Sequence, residues 1–401
     1  MFGATGKWQR GALQAIICKR SSDMTDQNLV RDIRAFLRER ERGAGRPPRV
    51  DLIETHFAWV FLTSTEAYKL KKAVSQSRRM DYRTVAGRRR GCRDELLLNR
   101  RLAGTVYRAV LPVTRRRNGA LVLGQPRGAR IVDWVVRMRR LPGELMLDRA
   151  LAAGTVRGRD LQRVERRLEE FFATAVARPL DTRGYLARMR SLTQENHRDL
   201  IAADLGLDRT RVERLTGLQL AFIESQSGAL GARGALLIDG HGDLRPEHVY
   251  LGSDSDEPCV IDCLEFDRDL RRLDPAEEIA FLALECRRLG GGAAARELIA
   301  RYRANAADPP SLALLDFYMS HRATVRAKIS AWHLRDPRFR RRALQWRSRA
   351  SSYLADAQRY IRRALRGANP RGERSVSVHG PALEQRGERA AVQNTLHGQT
   401  E

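Results

Sequence analysis

Two stretches of this chain hold the residue types best suited to chemistry. The first is Ile238-Asp239-Gly240-His241-Gly242-Asp243-Leu244-Arg245-Pro246-Glu247-His248-Val249. Gly240, Gly242 and Pro246 force a tight, irregular loop between apolar segments, and such a density of ionisable groups in one loop rarely serves packing alone. The second is Val260-Ile261-Asp262-Cys263-Leu264-Glu265-Phe266-Asp267, where Asp262 follows an apolar strand 19 positions beyond Asp243. That separation fits a hairpin that brings two carboxylates together. Two carboxylates so placed can divide phosphoryl transfer, one orienting and deprotonating a hydroxyl, the other holding the magnesium that bridges the phosphates. A serine-hydrolase elbow would need Gly-x-Ser-x-Gly, which is absent from the sequence. A zinc site drawn from His241, His248, Cys259 and Cys263 matches no common zinc spacing, and the two cysteines read more simply as small apolar packing residues.

A third signal comes from scarcity. The chain has six lysines against 68 arginines, and three of the six fall in Tyr68-Lys69-Leu70-Lys71-Lys72. Where arginine serves nearly every other basic need, a lysine cluster points to a compact ammonium that a guanidinium cannot replace. On a strand, Lys69 and Lys71 share parity and project from one face. They read either as grips for nucleotide phosphates or as solvated charges on an edge strand.

The elements that must position these residues change character once. From Val50 to about Val136 the sequence predicts β-like runs at Asp51–Thr63, Glu66–Val74, Ala109–Thr114, Leu121–Leu123 and Ile131–Val136, interrupted by a helix over Arg88–Leu102. Helical periodicity covers Glu144–Ser225 and resumes from Asp274 to about Leu365, with a β-rich segment at Leu236–Ile261 between. The fold expected is therefore α+β and two-lobed, a small mixed-β lobe followed by a larger helical lobe with strands set into its middle. The boundaries expected are an N-lobe with a leading helix over 24–141 and a C-lobe carrying the loop over 142–366. Residues 1–23 read as a disordered extension or a start placed too far upstream, and 367–401 as a disordered tail.

The loop resembles the catalytic loop of the aminoglycoside phosphotransferase-like family, whose fold is protein-kinase-like. The likeness rests on His241 and Asp243 in His-x-Asp order and on Asp262 in an Ile-Asp pair at the end of the next strand. It extends to Glu54–Lys72, Glu95–Leu102 and Arg322–Lys328, which resemble segments of a bacterial subgroup of that family in the same order. The resemblance implies a phosphotransferase that uses ATP or another nucleoside triphosphate with Mg²⁺. It implies Asp243 as catalytic base, supported by His241 and by Arg245, which stands where protein kinases carry a phosphate-contacting lysine. It further implies Lys69, with Lys71 second, as the phosphate-gripping lysine, Glu95 as its acidic partner, Asp262 as metal ligand, and a base-binding hinge over Val136–Leu141 that includes Met138. Two departures stand out. His248 occupies the metal-side position where the family has Asn, and imidazole nitrogen suits hard Mg²⁺ poorly. There is also no Gly-x-Gly-x-x-Gly loop, which leaves Thr55, His56 or Ser64 as candidates to meet phosphates.

Composition bounds the alternatives. In 401 residues, Lys and Arg number 74 against 48 Asp and Glu, a net charge of +26. A basic surface attracts phosphate-rich partners, so a nucleic-acid binder is the competing class. The arginines, however, are dispersed along the chain, and neither a zinc-finger spacing nor an aromatic RNA-binding signature accompanies them. His248 motivates a further alternative, a kinase-like nucleotide binder that transfers phosphate poorly. No apolar run reaches the roughly 18 residues that cross a bilayer, so no membrane partner is expected. Five irregularly spaced cysteines argue against a disulfide framework and for a reducing cytoplasm. The substrate expected is a small hydroxylated molecule.

Overall fold

The computed structural model describes residues 22–75, 80–202, 205–253, 255–335 and 341–368. Most of the expected N-terminal extension, and of the tail all but its first two residues, lie outside the described residues. The N-lobe opens with helix α1 (Ser22–Gly43) and continues through strands β1 (Asp51–Glu54), β2 (Ala58–Leu62) and β3 (Glu66–Lys71). Helix α2 (Val85–Ala103) follows, then β4 (Tyr107–Arg115), β5 (Leu121–Leu123) and β6 (Arg130–Arg139). The six strands form one antiparallel sheet in the order β1-β2-β3-β6-β4-β5. The run expected over Asp51–Thr63 is two strands, because Thr55 turns the chain. Its N–H donates to the Ala58 carbonyl at 2.9 Å, and the Thr55 Oγ1 in turn accepts the Ala58 N–H at 3.0 Å. Helix α2 begins three residues before the expected start because Thr84 caps it, its side chain accepting the Gly87 N–H.

Strand parity divides the sheet into two faces. Tyr68 and Leu70, opposite Phe61 and Trp59, pack with Val135 under Val30, Ile33 and Leu37 of α1. Ala67, Lys69 and Lys71, opposite Leu62, Val60 and Ala58, turn to the other face. There Ala67, Val136 and Met138 join an apolar cluster with Cys92 of α2 and with Tyr250 and Cys259 from the second lobe. The lysines therefore point into the junction between lobes rather than into solvent.

The second lobe is built from α3 (Leu147–Ala152), α4 (Gly158–Thr174), α5 (Thr182–Leu200), α6 (Arg209–Ser225), α7 (Ser227–Ala232), α8 (Pro275–Arg288), α9 (Gly292–Asn305), α10 (Leu312–Trp332) and α11 (Ala343–Ala368). Four two-residue strands interrupt it: β7 (Ile238–Asp239), β8 (Val249–Tyr250), β9 (Cys259–Val260) and β10 (Arg272–Leu273), pairing as β7 with β10 and β8 with β9. A single large core runs beneath them, with Phe222 stacked on Phe317 at 4.6 Å. Asp274 caps α8 by accepting the Ala276 N–H, and the same carboxylate binds Arg233 and the Tyr318 hydroxyl. The two-lobed α+β plan expected from the sequence is the one found. Among the described residues no helix is long and apolar enough to cross a membrane.

Candidate active site

The site lies where β3 and α2 of the N-lobe meet the loop after β7 and the segment after β9. Strand pairing places Lys69 opposite Val60 and Val136, in the middle of the sheet, with its ammonium leaving the inner face. Lys69 Nζ sits 2.8 Å from Glu95 Oε1 and 2.5 Å from Asp262 Oδ1. Lys71 Nζ sits 2.7 Å from Glu95 Oε2 and 2.5 Å from Glu265 Oε1. Glu95, on α2, has a wholly buried side chain, so both its oxygens depend on these lysines. Burial works against both ammonium groups, but the carboxylates outweigh it and hold each lysine well above its ordinary pKa. Both remain charged at any physiological pH. The edge-strand reading of the cluster does not hold: β3 is internal to the sheet, and the Lys71 side chain is only 2 % exposed.

Asp262 has φ 62°, and no other non-glycine among the described residues has positive φ. A left-handed residue outside glycine persists when its surroundings hold it there, and such positions cluster at functional sites. Here the hold is visible: the Asp262 N–H donates to the Tyr107 hydroxyl at 3.1 Å, and the Cys263 N–H donates to Asn99 Oδ1 at 2.8 Å. The Asp262 carboxylate is 44 % exposed and is the open group of the cluster. Burial pushes its pKa up, but Lys69 and His248 outweigh that and keep it far below the usual carboxylate range.

The loop after β7 is anchored from beneath. Glu278 of α8 accepts the Gly242 N–H at 2.6 Å. Arg101 of α2 donates to the Asp239 and Gly240 carbonyls at 2.7 and 2.9 Å. Gly242 has φ +90°, and a Cβ there would meet Leu264 Cβ at 3.1 Å, so the turn requires glycine. His241 is buried and fully committed: Nε2–H donates to the Ile261 carbonyl at 3.0 Å, and Nδ1 accepts the Asp243 N–H at 3.3 Å. Burial, with His248 beside it, pulls the His241 pKa down to about 3, so the ring is a neutral brace between the two carboxylate-bearing segments.

Asp243 presents its carboxylate beside Arg245, whose Nη2 lies 2.9 Å from Oδ2. Burial raises the Asp243 pKa, but Arg245, then His248 and Arg326, outweigh it and hold it at about 2. His248 donates from Nδ1 to the Asp243 carbonyl at 2.8 Å, and its Nε2 lies 3.2 Å from Arg245 Nη2 and 3.6 Å from Asp262 Oδ2. His248, the expected metal-side residue, thus has Nε2 between Arg245 and Asp262. The ring stands between the two aspartates. No three of the described His, Cys, Asp and Glu side chains are grouped to hold a metal by themselves. The four described cysteines are buried thiols, and burial pushes Cys259 and Cys263 up to about 12.

Met138 lies on the lysine face of the sheet, opposite Ala67 and Tyr107, within an apolar shelf that includes Val60, Leu62, Leu141 and Ile261. Its backbone is committed to both neighbouring strands, so the segment free to meet a ligand begins after Arg140, whose N–H donates to the Thr65 carbonyl. The Ser64 turn is tied to α1, with the Ser64 N–H donating to Glu41 at 3.0 Å. Among the candidate phosphate-facing turns it is Thr55–Phe57 that approaches the second lobe, through Phe57 and Phe266 at 6.0 Å and His56 and His333 at 5.6 Å. Sequence reasoning left Glu265, Asn99, Tyr107 and Glu278 without roles. Asn99 was within reach of it, since it lies one helical turn from Glu95 and donates to the Glu95 carbonyl at 2.8 Å.

No protein-family model matches the chain. Uncharacterised proteins of Mycobacterium tuberculosis and Mycobacterium bovis are 30 % identical over 341 residues, 84 % of this chain, and the chain spans 65 % of the length of these curated relatives. Similar solved structures include a choline/ethanolamine kinase family protein from Mesorhizobium loti, with 16 % identity, TM-score 0.48, and coverage of 86 % of this chain and 99 % of that one. A glucosamine kinase in complex with glucosamine, ADP and inorganic phosphate has 15 % identity and TM-score 0.44 over 79 % of this chain and 82 % of its own. A thermostable mutant of an aminoglycoside phosphotransferase has 13 % identity and TM-score 0.46 over 80 % and 97 %.

Proposed function

We propose that this chain is an ATP- and magnesium-dependent phosphotransferase that moves a phosphoryl group to a hydroxyl of a small molecule. The observation that carries the reading is Lys69, which reaches from the middle of the N-lobe sheet to both buried Glu95 and the exposed, left-handed Asp262, with Asp243 linked to Asp262 through His248. Phosphoryl transfer asks of a protein mostly positioning and charge, and this arrangement supplies both. Asp262 offers hard carboxylate oxygen, and Mg²⁺ is usually held by one or two carboxylates plus substrate phosphates, so the donor set fits that ion. When bound there, the metal would neutralise phosphate charge.

The remaining work falls to the chain's own groups. Asp243, ionised at all working pH, accepts the proton of the acceptor hydroxyl. The hydroxyl oxygen bonds to the γ-phosphorus, the bond from that phosphorus to the β,γ-bridging oxygen breaks, and the nucleoside diphosphate leaves. Lys69 grips the phosphates while keeping Glu95, and Arg245 holds Asp243 in place and offers positive charge beside the moving group. The apolar shelf of Val60, Leu62, Ala67, Met138 and Ile261 gives the base a surface to lie on. Thermal unfolding with ATP and Mg²⁺, singly and together, tests the site; a ligand at 100-fold excess over Kd stabilises by about 2.7 kcal/mol. Stabilisation that needs both and is lost in Asp262→Ala is expected. Absence of any shift at millimolar nucleotide, or ATP consumption that survives Asp243→Asn, would refute the reading.

His248 favours a second reading, a nucleotide binder with little transfer, because its ring occupies the space between Asp243 and Asp262. A sharp rise in ATP consumption in His248→Asn would support it.

A further inference from the structure

Glu95 serves two lysines with different surroundings. Lys69 stands at the rim of the cleft with a 15 % exposed side chain, its second partner being the open Asp262. Lys71 is shut in, 2 % exposed, between Glu95, Glu265 and the Tyr82 ring, whose centroid is 5.0 Å from Nζ. Glu265 takes a further hydrogen bond from the Tyr82 hydroxyl at 3.0 Å. The two lysines thus hand one buried carboxylate on to two acids three residues apart in the same segment, Asp262 and Glu265.

The doubling has a physical consequence. A buried carboxylate that relied on Lys69 alone would resist any ligand that drew the ammonium away, since separating a buried pair leaves an uncompensated charge. With Oε2 held by Lys71, and Lys71 balanced by Glu265, that resistance is reduced. We infer that Lys71 and Glu265 are positioning residues that tie Glu95 to the segment after Asp262, so that Lys69 can exchange Asp262 for an anionic ligand without releasing Glu95. The inference rests on the phosphotransferase reading for the identity of that ligand. Neither residue touches the ligand; both act through Glu95 and through the backbone that carries Asp262.

Lys71→Met and Glu265→Gln, in the full chain, separate positioning from simple charge. If the pair only tuned local charge, losing a cation would weaken ATP binding and losing an anion would strengthen it, so the two variants would move in opposite directions. Positioning predicts the same direction for both. Amide hydrogen exchange over residues 262–266 should quicken about tenfold or more in each nucleotide-free variant, while α8 and α10 exchange unchanged. ATP consumption should fall in kcat by about ten- to a hundredfold, the scale of a misplaced catalytic group. Tyr82→Phe, a milder change that removes one hydrogen bond, should shift the same amides in the same direction and serves if Lys71→Met does not fold. Unchanged exchange over 262–266 in Glu265→Gln and Tyr82→Phe would overturn the inference, as would opposite shifts in ATP affinity with kcat preserved. If the wild-type chain neither binds nor consumes ATP, the phosphotransferase reading fails, and the exchange comparison still decides whether the pair holds the segment.

Discussion

Glu278 offers the sharpest test of how the loop bearing Asp243 is held. Its side chain is buried, and it accepts the backbone N–H of Gly242, while its Oε2 has no hydrogen-bond partner among the described residues. Glu278→Ala leaves the buried Gly242 N–H without an acceptor. For one unsatisfied buried group the expected loss is about 1–3 kcal/mol. Glu278→Gln keeps the accepting oxygen and puts an amide where Oε2 already lacks a partner, so a change under about 1 kcal/mol is expected at neutral pH. The pH dependence has a definite sign. Burial raises the Glu278 pKa above 4.5 in the folded chain, so the folded state holds the proton more tightly than the unfolded state. Its contribution to stability is therefore full below the unfolded value and is lost as pH rises through the folded value. Glu278→Gln, which has no such proton, should gain on the wild type as pH climbs from about 4.5. Urea unfolding of the wild type and both variants from pH 4 to 8 measures each quantity. Equal losses in Ala and Gln variants, or a wild-type-minus-Gln difference that does not change with pH, would refute the account of Glu278 as a backbone acceptor strained by its own charge.

Other expectations follow from the same geometry. Because Asp243 is held at about 2, the pH profile of kcat/KM should show no acid limb from this group between pH 5 and 9, and a limb appearing near pH 6 to 7 would remove Asp243 as the base. His248→Gln should lower ATP consumption by roughly tenfold through misplacement of Asp243 while leaving the magnesium dependence of ATP binding in place; loss of that dependence would identify His248 as a metal ligand. Arg88→Met should destabilise the N-lobe by about 3–5 kcal/mol by stranding buried Asp133, which Arg88 Nε approaches at 2.9 and 3.0 Å, and Asp133→Asn should partly rescue it. A rescue that fails would mean that the packing of Arg88, not its charge, is what matters there.

Much of this site was legible in the residues themselves. The parity of Lys69 and Lys71, the glycine–proline punctuation around His241 and Asp243, and the carboxylate at the end of the next apolar run all follow from local backbone periods. A strand alternates every two residues wherever it packs, and Gly242 needs its left-handed turn in any context that keeps the loop. The helix bearing Glu95 belongs to the same class. What tertiary structure alone decided are the pairings across long separations: Lys71 meets Glu265, 194 residues away, and Cys263 meets Asn99, 164 residues away. Such contacts depend on where whole helices come to rest against the sheet, which no local period encodes. The same applies to His248, whose two ring nitrogens could each have met a metal, a carboxylate or a carbonyl, and whose partners were chosen by the placement of Arg245 beside the Asp243 backbone. Sequence periodicity set the direction in which each side chain leaves its element. The packing of one lobe on the other determined what stood within reach when it arrived.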